Sequence, residues 1–120
     1  MNTKLPQKTT KPWGWELLYA LTEGYAGKII FIKKGHRLSL QYHRKKEETM
    51  YLLSGSIVFE TGDFPAGLTQ CTIKPGESLH LPPGTLHRIK ASEDSTILEV
   101  STPELDDVTR LSDDYGRAGP

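Results

Sequence analysis

Glycine and proline punctuate this chain about every ten residues, and that spacing limits its fold more than any other feature. Between the punctuation sit "WELLYAL", "GKIIFIKK", "RLSLQYH", "ETMYLLS", "SIVFET", "TQCTIK", "SLHLP", "LHRIKA" and "TILEVST". Each is rich in β-branched, aromatic or aliphatic residues, and each is too short for a stable helix. Glu23-Gly24, Lys34-Gly35, Ser54-Gly55, "TGDFPAG", "KPGE" and "PPGT" supply the backbone conformations that a strand interior cannot hold. No segment keeps a helical period beyond a turn or two. The pattern predicts an all-β sandwich or barrel. "SGS", after Leu53, predicts a hairpin joining two antiparallel strands. After Pro103 the chain turns polar and acidic; "DDVTRL" reads as an edge strand, with the barrel over about 13–110 and a polar tail over 111–120 leaving the body.

With 120 residues there is room for one small domain and not for two independent cores. Fifteen Lys and Arg balance fifteen Asp and Glu, so no net field gathers nucleic acid or anionic lipid. "MNTKLPQKTTK" lacks the apolar core of a secretory signal, and no segment reaches the roughly 20 apolar residues of a membrane span. A soluble cytoplasmic protein is expected. Cys71, the sole cysteine, excludes an internal disulfide and reads as a small strand residue.

Gln41 and His43 are two residues apart in "GHRLSLQYHRKKEETMYLLSG", so on a strand they share a face. Glu48 follows the charged "RKKE", where a hairpin would return it beside the pair, and His87 opens another strand after "LPPGTL". Four nitrogen and oxygen donors on three strands suit a borderline to hard divalent ion, and the lack of thiolates argues against a closed structural zinc site. The same Gln-x-His spacing also fits a solvent-facing polar stripe.

Gly35, His43, Glu48 and Gly55 fall at the positions of the first cupin motif, G-x5-H-x-H-x4-E-x6-G, with Gln41 where the first histidine usually stands. Gly76, Pro82, Gly84 and His87 meet the second motif, G-x5-P-x-G-x2-H. The chain thus resembles the cupin superfamily, which implies a double-stranded β-helix, or jelly roll, around one divalent metal ion (Zn, Mn, Fe, Co or Ni) held by Gln41, His43, Glu48 and His87. "KPWGWELL", "GHRLSLQYH", "PPGTLHRI" and "DDVTRLSDDYGR" are further similar to the isomerase domain of the type II phosphomannose isomerases, over residues 11–117. No glycine-rich nucleotide loop accompanies them, so the guanylyltransferase activity often joined to that domain is not implied.

That resemblance implies aldose–ketose isomerisation of a sugar or sugar phosphate through an enediol, which needs a base, an oxyanion stabiliser and cations. Glu99, between apolar neighbours on "TILEVST", is a candidate base or substrate contact, or else a structural partner of a neighbouring strand. His80 is the second catalytic candidate; it shares its face with Ser78, and that face is either the cavity or water. Arg37 is in phase with Ser39, Gln41 and His43 and is expected along the cavity wall; Lys28 leans inward with Ile30 and Ile32. Arg88 points away from His87, and Glu47 away from Glu48. Arg117 in "DDYGR" could clamp a phosphate over the mouth. Trp13 could stack on a sugar ring or pack inside. A homodimer is expected through strand addition at "KPWGWELL". The competing functional reading is a non-catalytic or regulatory carbohydrate-binding module.

Overall fold

The computed structural model describes residues 3–63 and 67–118. Among them are eleven strands and no α-helix: β1 Gln7–Lys11, β2 Gly14–Leu21, β3 Ala26–Ile32, β4 Leu40–Tyr42, β5 Glu48–Ser54, β6 Ile57–Asp63, β7 Gly67–Ile73, β8 Ser78–Leu81, β9 His87–Ala91, β10 Ser95–Ser101 and β11 Thr109–Ser112. They form two antiparallel sheets, ordered β1-β2-β3-β10-β5-β8 and β11-β4-β9-β6-β7. The all-β expectation holds. No helix among the described residues is long and apolar enough to cross a membrane.

Strand alternation decides what lies between the sheets. Ile30 and Ile32 of β3, Met50 and Leu52 of β5 and Ile97 of β10 face Ile57 and Phe59 of β6 and Ile89 of β9, with Trp13 and Leu81 closing the cluster. Burying such a side chain stabilises the fold by about 1.5–3 kcal/mol. Cys71 sits exposed on β7, paired with Phe59.

Two expected hairpins are corners instead. The segment Arg44 to Glu47 carries the chain from β4 in one sheet to β5 in the other. The Asp107 carboxylate accepts the N–H groups of Arg44, Lys45 and Lys46 at 3.1, 2.6 and 2.9 Å and fixes that bend. "SGS" likewise passes from β5 to β6 across the two sheets. Gly55 has φ +98°, and a Cβ there would lie 2.3 Å from Ser95 Oγ. Turn residues mark a reversal of direction, and only packing decides the plane in which it happens.

The ends differ from expectation too. β1 forms from polar residues and pairs with β2 through the two-residue turn Pro12-Trp13, so the edge expected at "KPWGWELL" is covered and β1 becomes the edge. Gly14 lets that turn press onto β3: a Cβ on it would lie 1.9 Å from the Phe31 carbonyl oxygen. At the other end β11 pairs with β4, and the chain after it returns to the body where a departing tail was expected. Tyr115 packs against the core and bonds His36 Nδ1 at 2.7 Å. Arg37 Nε and Nη2 donate to Asp114 at 2.6 and 2.9 Å. Residues 64–66 of the expected turn "TGDFPAG" lie outside the described residues.

Candidate metal centre

His43 follows β4, His87 opens β9 and Glu48 opens β5 in the facing sheet, so the corner at Arg44 to Glu47 is what brings the carboxylate across. Gly84 of the second motif donates its N–H to the His43 carbonyl at 2.6 Å, which ties the two motifs together. All three side chains are buried, and one ligand atom from each lies within 4.8 Å of the others. His43 Nδ1 donates to the Asp107 carbonyl at 2.5 Å and His87 Nδ1 to the Thr85 carbonyl at 2.9 Å. A carbonyl only accepts, so both protons sit on Nδ1 of the neutral rings and both Nε2 lone pairs are free.

Those lone pairs face Glu48 Oε1, at 3.6 Å from His43 and 3.5 Å from His87. Oε1 is buried without a hydrogen-bond donor. Three electron pairs converging with no proton between them are what a cation would satisfy. Ligand bonds of about 2.0–2.2 Å at near-tetrahedral angles put ligand atoms about 3.3–3.6 Å apart, close to the distances seen. The residues fit a divalent ion. Gln41 pairs with His87 in register and lines the same cavity.

Lys46 lies beneath this group and was not among the residues expected there. Its ammonium is buried, 3.0 Å from Glu48 Oε2 and 3.5 Å from Glu99 Oε2. Burial alone would raise the Glu48 pKa, but the His43 contact and the Lys46 charge outweigh it and bring Glu48 down to about 2. Glu99 is pushed up to about 7, first by burial and then by the Glu48 charge, against the pull of Lys46 and Lys28. Burial would lower Lys46, yet the two carboxylates raise it. His87 is lowered by burial; His43 is raised by Glu48 and the Asp107 carbonyl despite burial.

A cavity of about 130 Å³ opens from this floor. Of the expected substrate contacts, Lys28, Trp13 and Arg117 line it, as do Ser39, Gln41 and Glu99. Lys28 shares an ion pair with Glu16 at 3.5 Å. Trp13 is 2 % exposed and its Nε1 has no partner. Arg117 donates from Nε and Nη2 to Asp113, both at 3.0 Å.

Two expected contacts lie elsewhere. Arg37 is outside the cavity, bound to Asp114, because residues 37–39 are not regular strand: Leu38 and Ser39 both line the cavity, so alternation fails before β4 begins. His80 points outward on β8 and pairs with Glu47 at 2.5 Å; Leu79 and Leu81 take the inner face. Arg88 turns away from His87, as expected, and donates to the Leu38 and Ser112 carbonyls. Arg110, a cation of the same terminal segment as Arg117 and expected as a solvated surface charge, lies at the cavity instead. It pairs in register with Gln41, lines the cavity and leaves a buried Nε without a partner.

Comparison with known proteins gives the arrangement a lineage. The chain is 30% identical over 116 residues to the xanthan biosynthesis protein XanB of Xanthomonas campestris pv. campestris (strain B100), covering 92% of this chain and 24% of XanB. It is 30% identical over 112 residues to the alginate biosynthesis protein AlgA of Pseudomonas aeruginosa, covering 89% of this chain and 22% of AlgA. The chain therefore spans about a quarter of the length of these relatives. The capsular polysaccharide assembling protein CapF of Staphylococcus aureus superposes with a TM-score of 0.78 at 16% identity, over 92% of this chain and 35% of CapF, a likeness of fold. Residues 28–101, which carry both motifs and every side chain of the His43–Glu48–His87 group, match the Cupin domain, and the chain belongs to that family.

Proposed function

We propose that this protein is a metal-dependent sugar or sugar-phosphate isomerase of the mannose-6-phosphate isomerase type. One observation carries the reading: a buried carboxylate outside the ligand set, Glu99, lines the same cavity as the His43–Glu48–His87 group and the cations Lys28, Arg110 and Arg117. Gln41, His43, Glu48 and His87 would hold the ion, which when bound supplies Lewis-acid stabilisation of negative charge on a sugar oxygen. A neutral amide among the ligands leaves such an ion more electrophilic than a second carboxylate would.

Glu99 takes the proton from the hydroxyl-bearing carbon next to the carbonyl and returns it to the former carbonyl carbon, while the hydroxyl proton passes from the first carbon's oxygen to the adjacent former carbonyl oxygen. The bonding electrons pass through an enediol, and no oxidant is needed. Lys46, 3.5 Å from Glu99 Oε2 and 3.0 Å from Glu48 Oε2, bridges the base and the metal-ligand carboxylate in one buried pocket. The partnerless Arg110 Nε and Trp13 Nε1 are donors awaiting acceptor oxygens, as a polyhydroxylated ligand provides. Of the cations lining the upper cavity, Lys28 is paired with Glu16 and Arg117 with Asp113, which leaves Lys11 and Arg110 to favour a phosphorylated or otherwise anionic sugar.

The reading is tested by solvent-deuterium incorporation at the carbon next to the carbonyl, followed by proton NMR. The panel is mannose 6-phosphate, fructose 6-phosphate, mannose and lyxose, each with added divalent metal and with chelator. Metal-dependent exchange into one member supports the isomerase. Absence of exchange from folded, metal-loaded protein overturns it in favour of a carbohydrate-binding module.

A further inference from the structure

We infer that Asp107 is a positioning residue of the metal centre: it sets His43 and Glu48 for one another by cradling the corner between them. The inference rests on the reading that the His43–Glu48–His87 group holds a divalent ion. Four residues, Arg44 to Glu47, separate His43, after β4, from Glu48, which opens β5 in the facing sheet. The conformation of this corner therefore sets the gap that an ion has to fill.

A chain crossing between sheets has no ladder to take its N–H groups, and each of them needs an acceptor. Here one segment, residues 102–107, takes all four. The Asp107 carboxylate accepts from Arg44, Lys45 and Lys46, and Thr102 Oγ1 accepts from Glu47 at 3.0 Å. The Thr102 N–H donates in return to the Glu47 carbonyl at 3.0 Å, which prolongs the β10–β5 ladder one step past Ser101 and Glu48. Successive N–H groups turned to one side form an anion-binding concavity. Those of Lys45, Lys46 and Arg44 hold the Asp107 carboxyl down to about 2, so its bonds to the corner are charge-assisted.

From this cradle Asp107 reaches the metal group at two further points. Its own carbonyl accepts from His43 Nδ1 at 2.5 Å, which fixes the tautomer of the ring and leaves Nε2 facing Glu48. Its carboxylate holds the backbone of Lys46, whose ammonium turns back inside to Glu48 and Glu99. Glu48 is set in the sheet by pairing with Ser101 and Leu81, so the corner decides where His43 stands relative to it. Water can replace the carboxylate at these N–H groups, and the sheets can form without it. Water cannot hold the corner in one conformation, and that pre-organisation is what the ligand set would lose.

The test compares wild type with Asp107→Ala, Asp107→Asn and Asp114→Ala in the full chain, with cobalt(II) as the probe ion. Cobalt affinity and the visible absorption of the bound ion report the ligand geometry. In the metal-free protein, long-range proton–nitrogen NMR in mildly alkaline buffer reports which nitrogen of His43 carries the proton. Asp107→Ala should weaken cobalt ~10–100-fold, the range for partners that orient ligands, with a changed visible spectrum and a mixture of His43 tautomers. Asp107→Asn keeps one acceptor oxygen and should fall between. Asp114→Ala, which removes the two hydrogen bonds from Arg37 outside the cavity, should match wild type in all three readouts, as a merely structural carboxylate would. Wild-type affinity, spectrum and tautomer in a folded Asp107→Ala overturn the proposal; if that variant does not fold, the same result in Asp107→Asn does so. A wild-type protein that binds no cobalt removes the metal reading instead, and the tautomer comparison still decides whether Asp107 orients His43.

Discussion

Lys46 Nζ stands 3.0 Å from Glu48 Oε2, so one oxygen of this carboxylate is neutralised by the protein while the other, Oε1, faces two imidazole lone pairs unpaired. The division explains how Glu48 can remain ionised in a dry site and still have an oxygen to offer an ion. It also makes Lys46 the counter-charge of the metal-free protein.

Lys46→Met should therefore destabilise the protein by about 3–5 kcal/mol in chelator, because two buried carboxylates lose the ammonium they share. A bound divalent ion compensates Glu48 directly, so the loss should shrink with metal in excess. Thermal unfolding of wild type and variant, each with metal and with chelator, measures this. Equal destabilisation in the two conditions would remove Lys46 from the role, and Lys46→Arg should preserve the chelator-treated protein.

His43→Ala and His87→Ala should each release the ion while the sheets remain folded. Loss of a direct ligand should exceed the ~100-fold upper range for partners that merely orient ligands. Competition with a chromophoric chelator gives the affinity, and circular dichroism reports the fold. Unchanged stoichiometry in both variants would leave the site without its ion.

The stability of the metal-free protein should peak near pH 5. Glu99 is raised from 4.5 to about 7, so between these values the folded state holds the extra proton and stability falls as pH rises. Glu48 is lowered from 4.5 to about 2, so its contribution is present above 4.5 and is lost as pH falls toward 2. His43, raised, adds to the upper slope, and His87, lowered, opposes it. Glu99→Gln should abolish ~2–3 kcal/mol of the upper slope and leave the acid limb. Chemical denaturation in chelator from pH 3 to 8 reads both limbs; an unaltered upper limb in Glu99→Gln would mean that this carboxyl does not titrate there.

The metal group was legible because its spacing is local. Strand alternation puts Gln41 and His43 on one face, the charged run before Glu48 marks a turn, and the prolines and glycine before His87 mark where its strand begins. The same rule could not say which face of "SLHLP" meets the cavity, and His80 went to water because Leu79 and Leu81 took the core. It misplaced Arg37 because the chain is irregular between Arg37 and Leu40. Lys46 hid in a run of charges that reads as a solvated turn, although its position two residues before Glu48 puts it in the same phase. Arg110 and β1 depend on pairing between distant strands, for which one-dimensional pattern carries no signal.

Two arginines at the cavity differ in what they still have to give, and the difference decides which one binds an anion. Arg117 spends Nε and Nη2 on Asp113, whose carboxylate is fully buried and lowered first by that bond. Arg110 has a buried Nε with no acceptor and pairs across the sheet with Gln41. A charge-assisted hydrogen bond contributes about 1.5–3 kcal/mol. Arg110→Met should then raise the apparent KM for a phosphorylated sugar ~10–100-fold and change that for its unphosphorylated counterpart little. Arg117→Ala should act mainly on stability, by stranding Asp113. Steady-state kinetics on the matched pair of sugars, or calorimetric titration if turnover is absent, distinguishes them: a phosphate-selective loss in Arg117→Ala and none in Arg110→Met would return the clamp to the C-terminal segment.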